Sequence, residues 1–150
     1  MSGADINVSL NSVQNYCGVL AIDQLSNIKF HHFPSFFCLN LDYSYEQGTH
    51  WIALRVSKKG VEIFDSLGFD HLSFGRYPKP LLDFLSIYGK NKTVLTTPKL
   101  QNSSSSLCGF FVLYFIIMRQ NFTFKSTLSI FSSNLYLNEK LIISELHKIL

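Results

Sequence analysis

The apolar positions of this chain change their period several times along its length. Phe36–Asp42 alternates loosely and reads as a strand. The polar stretch Tyr43–Thr49, with Gly48 near its end, reads as a turn or short loop. His50–Val56 (His-Trp-Ile-Ala-Leu-Arg-Val) alternates more cleanly. With the turn-like Ser57–Gly60 and the run Val61–Asp65 it predicts a β-hairpin. Apolar residues at 81, 82, 84, 85 and 88 give Pro78–Tyr88 helical spacing, with Pro80 suited to a first turn and Gly89 to a stop. Thr93–Thr97 is a β-branched run and predicts another strand. Polar residues 101–106 then give way to Leu107–Met118, a helix apolar on every face and therefore expected to be buried all round. Ser105 or Ser106 is placed to cap it. The tail Asn138–Leu150 begins at a capping-type Asn and has amphipathic spacing at 141, 142, 143, 146, 149 and 150. Residues 1–30 have no clear period; a short helix or two is expected within Asn11–Ser26.

Composition narrows this picture. The chain has 150 residues, the length of one domain, taken as 1–150. At 47% hydrophobic and 15% charged it can bury a core and is no disordered tail. The net charge of +3 permits contact with nucleic acid or an acidic partner but argues for neither. Lys58-Lys59 and Lys90–Lys92 are turn-like pairs rather than a basic run. Leu107–Met118 is well short of the ~20 residues that span a bilayer, so no membrane span is expected. No signal-peptide pattern opens the sequence. With three cysteines, an odd number, free thiols in a reducing compartment are expected.

Candidate chemistry gathers at Cys108. It stands where a polar loop becomes an apolar helix, and a helix N-terminus stabilises an anion through unpaired N–H groups and the helix dipole. A thiol there ionises more easily and becomes a better nucleophile. Gly109 next to it lets a substrate backbone approach closely. Gln101 lies upstream across a run of serines, so its amide can fold back as an oxyanion donor. His50 opens one hairpin strand and Asp65 closes the other, which brings them to one end of the sheet. Asp65 can then fix the tautomer of His50 as base. Glu62 and Asp70 are alternative acids less well placed opposite His50, and Cys17-Gly18 is a second-choice nucleophile whose following segment reads as helix. His31, His32, His71 and His147 read as surface or structural residues. No C-x-x-C or H-x-x-x-H pair exists, so neither a metal site nor a cofactor is expected.

Gly48-Thr-His50-Trp51, Ile63-Phe-Asp65-Ser-Leu-Gly68-Phe69 and Gln101…Cys108-Gly109-Phe-Phe together resemble the adenovirus endopeptidase (adenain) family of cysteine proteases. More distantly they are similar to the ubiquitin-like-protein-specific proteases. The resemblance covers roughly residues 48–118. Gly18-Val-Leu-Ala-Ile-Asp23 resembles the start of the viral enzymes more weakly. It implies an α+β, circularly permuted papain-like fold, with a small mixed sheet packed on a buried nucleophile helix. It also implies Cys108 as nucleophile, His50 as base, Asp65 as orienting acid and Gln101 as oxyanion donor. Gly48, Trp51 and Gly109 are expected to line a narrow cleft that favours Gly-containing sites. The viral enzymes more often have Glu where Asp65 stands, and this chain is short for either group. A peptide or DNA activator is therefore not carried over.

The function expected is a monomeric cysteine endopeptidase that processes viral or virus-like structural precursors. Its expected setting is intracellular, in the host nucleus, the cytoplasm or the virion, and not secreted. Two competitors share the fold: an isopeptidase that removes a ubiquitin-like modifier, and a non-catalytic protein-binding module.

Overall fold

The computed structural model describes residues 1–68 and 77–150. Helix α1, Gly3–Leu10, starts at Ser2 in a reciprocal cap. Asp5 N donates to Ser2 Oγ at 3.2 Å, and Ser2 N donates to Asp5 Oδ2 at 2.7 Å. Strand β1, Tyr16–Ala21, leads into a 3-10 turn at Ile22–Asn27. The sheet continues with β2 (Ser35–Asn40), β3 (Trp51–Ser57) and β4 (Gly60–Phe64). Helix α2 (Lys79–Tyr88) precedes β5 (Thr93–Thr96). The remaining helices are α3 (Cys108–Met118), α4 (Phe124–Leu128) and α5 (Leu135–Ile149).

Among the described residues, five strands form one mixed sheet in the order β1-β2-β3-β4-β5. The pairs β2–β3 and β3–β4 are antiparallel, while β1–β2 and β4–β5 are parallel. Phe36, Cys38, Ala53 and Phe64 face α3, α1 and α5 across one core. Phe37, Leu39, Ile52, Leu54 and Ile63 face α2 and the 3-10 turn across a second. Covering on both faces explains why β2 and β4 alternate so weakly in sequence: each is buried throughout. The expected α+β class is the one adopted, and α3 is the central buried helix, with Phe115 stacked on Phe64 at 4.6 Å.

Four local expectations are corrected. Within Asn11–Ser26 one short helix is present, the 3-10 helix that begins at Ile22, but it follows a strand, and the α-helix of this region lies earlier, at Gly3–Leu10. Cys17 therefore sits on a strand, not before a helix. Helix α3 is preceded by Leu107 at the N-cap position without a side-chain cap, so neither Ser105 nor Ser106 serves. The final helix starts at Leu135 behind Asn134, whose side chain accepts from Leu137 N at 3.2 Å. Asn138 lies inside that helix and is buried for another reason. Its Nδ2 donates to Leu100 O at 3.1 Å and Ser132 O at 2.9 Å, and its Oδ1 accepts from Ser132 N at 2.9 Å. It pins α5 to the loop that carries Gln101. Periodicity misses it because a buried Asn looks the same as an exposed one in sequence.

Replacing Asn138 with Leu leaves the Leu100 and Ser132 groups unpaired, each at a cost of about 1–3 kcal/mol. Urea unfolding of Asn138→Leu should show a loss of that order. An unchanged midpoint and slope would show that these bonds do not anchor α5.

Candidate active site

The antiparallel register pairs Ala53 with Phe64, which brings the start of β3 and the end of β4 to the same edge of the hairpin. His50 precedes β3 and Asp65 follows β4 there, with His50 Nε2 and Asp65 Oδ1 2.7 Å apart. Their side chains are 10% and 0% exposed. The strand edge would not hold Asp65 alone. Thr97, just past β5, accepts from Asp65 N at 2.9 Å and donates its hydroxyl to Asp65 O at 2.6 Å. Leu67 N donates to Asp65 Oδ1 at 3.1 Å. A carboxylate only accepts, so His50 carries a proton on Nε2.

Cys108 is the first residue of α3 and is 8% exposed. Burial opposes its ionisation, but four influences outweigh it and hold the thiol below its ordinary value. They are the His50 hydrogen bond, the Trp51 N–H, the His50 charge and the Gly109 N–H. Burial likewise disfavours charge on His50. Hydrogen bonds to Asp65 and Cys108, and the charges of both, reverse that and raise its pKa to about 9. Both shifts favour the thiolate and imidazolium, the reactive form of a cysteine nucleophile.

Gln101 is fully buried. Leu100 N and Gln101 N both donate to Ser66 O at 2.8 Å, which sets the loop against the residue after Asp65. Ser66 Oγ donates to Gln101 Oε1 at 2.6 Å, and Gln101 Nε2 donates to Ser105 O at 2.8 Å. A carbonyl oxygen only accepts, so the amide nitrogen must face Ser105 and the carboxamide has one orientation. The same nitrogen carries a second N–H, and Ser105 stands three residues before Cys108. Ser66 and Thr97 are positioning residues that sequence reasoning missed. Neither has a chemical signature of its own; Ser66 could have been singled out only by its place next to Asp65.

The expected cleft residues look different. The indole of Trp51 is half-buried and its Nε1 donates to Met1 O at 3.3 Å. A methyl group on Gly3 would lie 3.2 Å from the Trp51 ring, and one on Gly109 would lie 3.0 Å from the Met1 sulfur. Residues 1–3 thus lie where Trp51 and Gly109 were expected to meet substrate. Gly48 adopts a left-handed φ of 81°, and a Cβ there would collide with Asn40 Nδ2. Backbone geometry and the Asn40 side chain explain that glycine.

Cys17 is exposed and donates to Asn15 O at 3.4 Å. Cys38 is buried in the core, and burial pushes its thiol well above the ordinary value. Glu62 is paired with Arg55 and Arg119. His31, His32 and His147 are exposed. Phe69, Asp70 and His71 lie outside the described residues. Among the described residues, no three His, Cys, Asp or Glu side chains gather as a metal site, and no helix is long and apolar enough to cross a membrane.

No family model matches the chain, and no curated protein matches it. Among solved structures it is similar to the central domain of the uncharacterized Lpg1148 protein from Legionella pneumophila. That match has a TM-score of 0.58 at 14% identity, over 100% of this chain and 98% of the other. It is also similar to the SUMO protease Ulp1, with a TM-score of 0.49 at 14% identity, over 97% of this chain and 78% of the other. An ASFV protease aligns with a TM-score of 0.41 at 24% identity, over 69% of this chain and 42% of the other. The first likeness shows the α+β fold; the other two superpose too loosely to add to the geometry.

Alkylation by iodoacetamide in a Cys17→Ala background reads the thiolate directly. Cys108 should react at pH values below those of an ordinary thiol. His50→Ala should move that onset upward, because burial then acts without its main opponent. An onset that stays in place would remove His50 from the control of Cys108.

Proposed function

We propose that this chain is a cysteine endopeptidase of adenain-like type. The observation that carries the reading is the buried line from Cys108 through His50 to Asp65, with Gln101 held in one orientation beside it. The order His, Asp, Gln, Cys along the chain fits a permuted papain-like arrangement. The Cys108 thiolate attacks a peptide carbonyl. The Cys108 N–H and the second N–H of Gln101 hold the oxyanion. His50 gives its proton to the leaving amine, the acyl-enzyme remains, and His50 then activates the water that releases it. Asp65 keeps the imidazole in one tautomer throughout. The substrates proposed are viral or virus-like structural precursors, cut at Gly-containing sites by a monomer within the host cell or the virion.

An electrophilic peptide probe tests the nucleophile. Labelling should disappear in Cys108→Ala and persist in Cys17→Ala; the opposite result would sink both the nucleophile and the role of Gln101. Hydrolysis of Gly-containing peptides tests the substrate, with a ubiquitin-like fusion as the competing one. Cleavage of the fusion alone would replace endopeptidase with isopeptidase.

The pH profile should be bell-shaped. Activity rises as the Cys108 thiol ionises, below its ordinary range, and falls as His50 loses its proton near pH 9. Asp65→Asn removes the charge that holds the imidazolium, so the alkaline limb should move to lower pH while kcat drops on the order of 10²-fold. An alkaline limb that does not move would show that another group sets it. Gln101→Ala should cost roughly 10²-fold in kcat with KM little changed. A change in KM alone would make Gln101 a binding residue instead.

A further inference from the structure

The sheet face that packs on α3 extends past the end of that helix. Phe36, Arg55 and Glu62 continue it beyond Met118. With the Lys58-Lys59 turn and the chain from Arg119 to Phe124 they enclose a cleft of about 1050 Å³. The cleft lies at the opposite end of α3 from Cys108, roughly 16 Å away along the helix axis.

Its charges do not balance. Arg55 Nη1 donates to Glu62 Oε1 at 2.9 Å. Arg119 donates to the same carboxylate twice, Nε to Oε2 at 2.8 Å and Nη2 to Oε1 at 2.7 Å. Two guanidinium groups therefore share one carboxylate. The side chains of Arg55, Arg119 and Glu62 are only 19%, 9% and 11% exposed. A shielded positive charge without a counter-charge is costly, and a second anion relieves it. Burial, and then the nearby Arg119, disfavours the charged form of Arg55, while Glu62 opposes both. Among the described lining residues the cations are Arg55, Lys58, Lys59 and Arg119, and Glu62 is the one acid.

We propose that this cleft docks an acidic peptide segment, with one of its carboxylates joining Arg55 and Arg119 and others meeting Lys58 and Lys59. Three features favour a peptide over a nucleic acid. The two arginines converge on one carboxylate, whereas a phosphate backbone needs cations spread along a track. Phe33 and Phe122, 42% and 50% exposed, offer apolar contact at the mouth. Thr93 and Leu95 of β5 also line the cleft, and β5 is the outer strand of the sheet among the described residues, a position from which a peptide backbone can be paired. The proposal stands apart from the peptidase reading, because nothing in it uses Cys108 or His50.

The test uses the full chain as Cys108→Ala, so binding is read without any cleavage. Fluorescence anisotropy follows a short fluorescein-labelled peptide that alternates glutamate with phenylalanine and alanine, and its counterpart with glutamine for glutamate. The glutamate peptide should bind saturably and weaken with added salt. Binding should fall about tenfold or more in Lys58→Ser/Lys59→Ser, a change confined to an exposed turn, and again in Arg55→Gln. The lysine variant keeps the test decisive if Arg55→Gln fails to fold. Equal binding of the glutamine peptide, or full binding by the lysine variant, would overturn the proposal. A single-stranded oligodeoxynucleotide that binds more tightly, with the same dependence on the lysines, would replace the peptide with a nucleic acid.

Discussion

The carboxylate of Asp65 is the constraint around which this molecule is arranged. It is fully buried, and a buried charge survives only with partners at hydrogen-bond distance. His50 and the Leu67 N–H supply them, while Thr97 holds the Asp65 backbone through its N–H and C=O. Removing one partner of such a pair typically costs about 3–5 kcal/mol, so the register of the β3–β4 hairpin is not free to slip. A shift of one residue would turn every side chain of a strand to the other face and carry His50 away from Asp65. The electrostatics of Cys108 follow from that arrangement, since Asp65 holds the imidazolium that in turn holds the thiolate.

Helix α3 transmits this order to the rest of the fold. It is almost wholly buried, so packing leaves it no rotation, and its first residue is fixed against His50. Its two ends differ in character. The N-terminal end faces the hairpin edge, the Gln101 loop and residues 1–3. The C-terminal end opens on a cleft in which two arginines share one glutamate. One sheet face thus floors two polar regions, separated by the aromatic core of Phe64, Phe111 and Phe115.

Much of this was legible in the chain. The hairpin, α2, β5 and the apolar helix at Cys108 were readable because each has a period or a bounded apolar run. The pairing of His50 with Asp65 followed from the hairpin alone, since strand ends joined by a short turn share an edge. Other features resisted for physical reasons. β1 was hidden because its residues are mostly half-buried and lack clean alternation. Asn138 read as a cap because buried amides carry no distinguishing pattern. The contact of Met1 with Trp51 and Gly109 joins residues far apart in sequence, and no local signal announces it.

The sequence by itself determined the hairpin, α2, β5, the apolar helix and the four residue types at the candidate site, because these rest on local periodicity and on the chemistry of single side chains; the α+β class came from the resemblance those residues carry. Tertiary structure decided which atoms meet. It chose Thr97 and Ser66 as the supports, fixed the face of the Gln101 amide, laid residues 1–3 across Trp51 and joined Arg55 to Arg119 through Glu62. Those outcomes depend on hydrogen bonds and charges satisfied between distant segments, and burial makes them obligatory only once the core has closed.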